Sequence, residues 1–126
     1  MSLNTRQEIQ DAIIRKESSR DEVMKMLDPE KYISILVDRT VEPATVRIMG
    51  INDTIEFDYW NDFKLVEDIG KYKALSITND SDRGFRMKIN KEEYSPQKDE
   101  ISLLIYDKIR NEVVDFAVWT QDGGRK

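Results

Sequence analysis

Ser95-Pro96-Gln97-Lys98 has the Ser-x-x-Lys spacing with which serine acyltransferases bring a lysine, one helical turn on, to a nucleophilic hydroxyl. Here Pro96 and its polar neighbours predict a loop rather than a helix, and the partner motifs of that chemistry are absent, so an ordinary connection is the better reading. Asn79-Asp80-Ser81-Asp82-Arg83-Gly84 gathers oxygen ligands as a calcium loop does, yet it lacks the alternating register and the closing glutamate, and an Asn/Asp-rich turn accounts for it. Asn52-Asp53-Thr54 and Asn79-Asp80-Ser81 both spell glycosylation sequons in expected turns, an easy coincidence in such segments. The chain has no histidine and no cysteine. That removes the imidazole and thiol chemistry that serves most acid/base, nucleophilic and transition-metal sites near neutral pH.

The 25 acidic residues leave carboxylate-only chemistry open, but nothing in their spacing singles out a pair. Asp115 falls within a mostly apolar strand, where desolvation would raise its pKa unless a cation partners it. Tyr59-Trp60-Asn61-Asp62-Phe63 is the densest aromatic cluster; with Trp119 it offers a stacking platform for sugar rings or a protein hot spot, the plainer reading being core packing at a strand end. No glycine-rich phosphate loop, dinucleotide fingerprint or basic-aromatic patch occurs.

The elements that must position these residues change period along the chain. Thr5-Arg6-Gln7-Glu8 has capping-box spacing ahead of Ile9, Ala12 and Ile13, and Ser19-Arg20-Asp21-Glu22 repeats it ahead of Val23, Met24, Met26 and Leu27, with Asp28-Pro29 as a stop. Two short helices follow, over about 5–16 and 19–28. A helix-turn-helix is disfavoured, since no recognition helix follows and the net charge of −5 opposes binding to phosphate backbones.

From Lys31 the period is two. Tyr32 to Val37 is apolar at every residue but Ser34, as a strand covered on both faces requires. Three hairpins are expected beyond it. The first pairs Ile48 with Ile55 and Arg47 with Glu56; the second pairs Ile77 with Phe85 and Leu75 with Met87. The third turns through Lys108 to Asn111 and sets Ile101, Leu103 and Ile105 on one face with Val114, Phe116 and Val118. Its other face, Leu104, Tyr106, Val113, Ala117 and Trp119, is too apolar for water and needs a cover, either the N-terminal helices or a partner chain. Lys91 to Asp99 reads as the longest polar connection.

The 126 residues suit one α+β domain: a helical segment over 1–29, a β domain over 30–120 and a flexible tail over 121–126. The β domain is expected to be an antiparallel sheet of about seven or eight strands, a sandwich or partly closed barrel. Hydrophobic residues at 39% supply a core, and charged residues at 36%, against a usual share of about 25%, an unusually charged surface. No apolar run approaches the ~20 residues of a membrane span, and the expected location is cytoplasmic; an extracellular one requires that a signal peptide once preceded Met1-Ser2-Leu3. Function follows by elimination: a non-catalytic binding or protein-interaction module, an accessory or structural component of a bacterium, phage or virus, without cofactor. Its expected partner is another protein or a second copy, not nucleic acid or membrane, and its candidate surface is Tyr59, Trp60, Phe63, Leu104, Tyr106, Asp115 and Trp119. The alternatives are a carbohydrate-binding module and a carboxylate-only hydrolase.

Overall fold

The computed structural model describes Gln7, Met24 and residues 26–50, 56–59, 62–69, 72–78, 85–89 and 92–120. Nine strands lie among them: β1 (Tyr32–Asp38), β2 (Ala44–Met49), β3 (Glu56–Tyr59), β4 (Asp62–Ile69), β5 (Tyr72–Thr78), β6 (Phe85–Ile89), β7 (Glu92–Tyr94), β8 (Glu100–Asp107) and β9 (Glu112–Thr120). Six form an antiparallel sheet in the order β4-β5-β2-β1-β8-β9, and the other three a small sheet in the order β3-β6-β7. The larger sheet is open, with β4 and β9 as its edges, so the expected barrel closure does not occur. The two predicted helices fall almost wholly outside the described residues.

β1 is apolar on both sides because it is buried on both sides: Tyr32 to Val37 are all buried, between β2 and β8. Ile33, Ile35 and Val37 share one face with Ala44, Val46, Ile48, Ile77, Leu104 and Tyr106. Met87 of β6 and Tyr94 of β7 close over this face from the small sheet. Tyr32 and Leu36 share the opposite face with Leu103, Ile105, Val114, Ala117 and Trp119, where Met24 and Leu27 are the cover. Each such buried aliphatic side chain contributes roughly 1.5–3 kcal/mol.

The entry into β1 is fixed by polar groups. The Asp28 carbonyl accepts from the Lys31 and Tyr32 amides at 3.0 and 2.9 Å, and its carboxylate from the Glu30 amide at 2.9 Å, so Asp28-Pro29 ends the N-terminal segment in a turn. Lys108 ties that turn to the far hairpin, its amide donating to the Lys31 carbonyl and its Nζ to the Pro29 carbonyl.

Two expected hairpins are replaced by longer-range pairing. β2 has no free edge for residues 55 and 56, because Ile48 lies opposite Ile35 on one side and Lys73 on the other. Glu56 is instead opposite Lys88, Phe57 opposite Met87 and Asp58 opposite Arg86; this register matches acid to base twice, where the local hairpin would have matched it once. The second hairpin fails because β5 and β6 belong to different sheets: Leu75 lies opposite Val46 and Leu65, Ile77 opposite Ala44 and Phe63. The apolar stripes of β5 and β6 still meet, face to face across the sheets, with Met87 packed in the same cluster as Ile77 and Leu75.

The third hairpin and its turn form as expected, but its faces differ beyond one point. Tyr106 lies opposite Val113 and Ile105 opposite Asp115, which leaves Val114 as an extra residue on β9. That bulge shifts the phase of all that follows. Ala117 and Trp119 consequently join Leu103, Ile105 and Val114, while Phe116 joins Leu104, Tyr106 and Val113.

Gly50, just after β2, adopts φ of +76° where the chain passes against the turn before β1. A Cβ there would overlap the Tyr32 carbonyl oxygen and sit 3.0 Å from the Pro29 carbonyl oxygen, both backbone atoms unable to swing aside. Gly50→Ala should therefore cost more than the ~1 kcal/mol typical of a point substitution, read as a lowered urea midpoint.

Candidate interaction surface

The aromatic and apolar residues singled out in the sequence are spread, where they are described, over three strands of the larger sheet and one of the small sheet. Leu104, Tyr106 and Trp119 are 0%, 1% and 3% exposed, so the chain's own core takes them up and leaves no surface patch of them. Leu104 and Tyr106 lie under the small sheet and Trp119 lies on the opposite face with Met24 and Leu27, which places the last of them beneath the cover expected for all three. Tyr59 is in β3 opposite Phe85, Phe63 is in β4 opposite Ile77, and Trp60 lies outside the described residues. Asp115 is half-buried on β9 opposite Ile105.

The segment 95–98 is neither strand nor helix, so Ser95 and Lys98 do not share a helical turn. Pro96 is buried, and its carbonyl accepts a 2.7 Å hydrogen bond from Nη1 of Arg39, which is itself buried. The Arg39 amide donates to the Glu100 carbonyl at 3.0 Å and its carbonyl accepts from the Asp99 amide at 3.2 Å, so one arginine clamps the connection between β7 and β8. Residues 52–54 and 79–84, with both sequons and the oxygen-rich turn, lie outside the described residues. Among the described residues no three acidic side chains are grouped so as to hold a metal ion, and no helix is long and apolar enough to cross a membrane.

What the sequence reading passed over is β4. Among the described strands it is the outermost of the larger sheet, hydrogen-bonded to β5 alone. Every residue from Lys64 to Ile69 is exposed, including Leu65 at 48%, Val66 at 65% and Ile69 at 64%. Most edge strands are short, twisted or charged enough to refuse a further strand; β4 is eight residues long and presents three large apolar side chains between Lys64, Glu67 and Asp68. A bulge leaves Val66 without a partner in β5, since Leu65 lies opposite Leu75 and Glu67 opposite Ala74. Its sequence signal is the doublet Leu65-Val66, two apolar residues in succession where a half-exposed strand should alternate. Among the described residues the other exposed large apolar side chains, Val41 and Ile109, sit singly in loops outside the strands.

No known protein family, curated protein or solved structure matches this chain. The surface must therefore be read from its own physics.

In the cover over the Leu104 face, Tyr94 is held away from its usual pKa. Tyr94 packs edge-on to Phe116 with ring centroids 5.1 Å apart and donates its hydroxyl to Glu92 Oε2 at 2.7 Å. Burial, then the hydrogen bond to Glu92, then the Glu92 charge push its phenol up from 10.0 to about 12. The folded pKa is thus above the unfolded one, so this contribution to stability is fully present below pH 10 and lost as pH rises towards 12. Tyr94→Phe should abolish that part of the alkaline decline while changing stability at pH 7 by no more than about 1 kcal/mol, as measured by urea unfolding at both pH values.

Proposed function

We propose that the protein is a non-catalytic interaction module that engages another protein, or a second copy of itself, through the β4 edge. The observation that carries this reading is the full exposure of Lys64 to Ile69 on an outer strand whose second side has no neighbour among the described strands. Such an edge presents unpaired amide and carbonyl groups to an incoming strand, with Leu65, Val66 and Ile69 beside them to bury apolar area. The carbohydrate reading has less support, because a stacking platform needs an open ring face and Trp119 is buried.

A benzophenone amino acid at position 66 should crosslink to a protein in the source cell, whether to its own copy or to another, while the same group at the exposed position 98 should not. Absence of a position-66 crosslink overturns the edge reading. Val66→Asp should weaken association about tenfold or more, with a change in stability within about 0.5 kcal/mol because the side chain is already in water.

A further inference from the structure

Resting on that reading of β4, we infer that its occupant is the β4 of a second copy, running antiparallel with Asp62 of one chain opposite Ile69 of the other. Three features of the strand select this register.

The first is geometric. A two-fold axis perpendicular to a sheet makes antiparallel neighbours and keeps each residue on its own face, so residues brought opposite one another must already share a face. In a regular strand Lys64 and Glu67, three apart, would lie on opposite faces. The bulge at Val66 changes that: Lys64 lies opposite Ser76 and Glu67 opposite Ala74, and these two residues of β5 are two apart and share a face. Lys64 and Glu67 of β4 are therefore on one face.

The second is overlap. Setting Asp62 against Ile69 is the arrangement in which all eight residues of β4 overlap, and it brings Phe63 opposite Asp68, Lys64 opposite Glu67 and Leu65 opposite Val66. By symmetry each pairing occurs twice. For the three outer pairs the face-matched register and the longest register are the same one, because their β5 neighbours Thr78 and Tyr72, Ile77 and Lys73, and Ser76 and Ala74 each share a face.

The third is charge. In this register Lys64 of each copy faces Glu67 of the other, with the apolar Leu65 and Val66 at the centre between the two pairs. A parallel in-register arrangement would instead set Lys64 beside Lys64, Glu67 beside Glu67 and Asp68 beside Asp68, which like-charge repulsion disfavours. Antiparallel sliding that centres the axis on Lys64 or Glu67 makes the same kind of clash. The resulting assembly is one continuous sheet of twelve strands, twice the six of one chain.

Sedimentation of the full-length chain tests this by a charge swap. The protein should dimerise, and Lys64→Glu or Glu67→Lys alone should weaken the dimer about tenfold or more, because each creates two like-charge pairs. Mixing the two variants should restore association to near the original. In the mixed dimer the glutamate introduced at position 64 of one chain meets the lysine introduced at position 67 of the other, and the retained Glu67 meets the retained Lys64. The double variant should dimerise by itself for the same reason. A chain that stays monomeric from micromolar to millimolar concentration overturns the inference, as do single variants that associate like the parent or a mixture that fails to recover. If position 66 crosslinks only to a different protein, the occupant is wrong and the docking edge stands; if it crosslinks to nothing, both fall.

Discussion

The rest of the architecture depends on the two-sided burial of β1. A strand with large apolar residues on both faces has no side to give to water, and even its one polar side chain before Asp38, Ser34, is buried, so whatever sheet it joins must be covered above and below. β2 and β8 take its edges, and the two covers come from opposite ends of the sequence: Met24 and Leu27 precede β1, while Met87 and Tyr94 arrive through the small sheet. The nearest available hairpin partners lose because local pairing alone does not close both faces. Holding β3 and β6 apart from the large sheet as a second layer supplies Met87 to the face that would otherwise be open.

The covers also explain why the exposed apolar residues are where they are. Both clusters centre on β1, β2, β8 and β9, with β5 at their margin, and neither reaches far enough to shield β4. Polar ties reinforce the centre in the same way. Lys108 fastens the turn before β1 to the turn after β8, and Arg39 fastens the loop after β1 to the approach to β8, so β1 and β8 are held together at both ends. The outer side of β4 has no neighbour among the described strands.

Much of this was legible in the residues. Tyr32 to Val37 announced a doubly buried strand, Asp28-Pro29 a stop, and Lys108 to Asn111 a turn, which is built as expected by the Asp107 carboxylate accepting from the Ile109 and Arg110 amides and by Asn111 at φ of 54°. Pairing partners were less legible, because an alternating strand such as β2 fits any alternating neighbour, and the choice of β1 and β5 over β3 is made by total burial. Phase was hidden at the bulges. Composition gives no warning that Val114 is an extra residue, so Phe116 and Ala117 were each assigned to the face of the other. The exposed edge had its hint in Leu65-Val66, yet the same doublet in a covered strand would signify burial. Only the position of β4 at the end of the sheet distinguishes the two.

Val114 also sets how the chain can change length over time. Tyr106 already lies opposite Val113 and Ile105 opposite Asp115, so loss of this single residue would bring the hairpin into regular alternation with every pairing from Asp115 to Thr120 unchanged, and Trp119 would keep its place on the Met24 and Leu27 side. A further residue inserted there, unless it widened the bulge, would put Asp115 to Thr120 out of phase with β8. The bulge thus behaves as slack in the strand: it absorbs the loss of a residue that, in a regular strand, would exchange the two faces of all that follows.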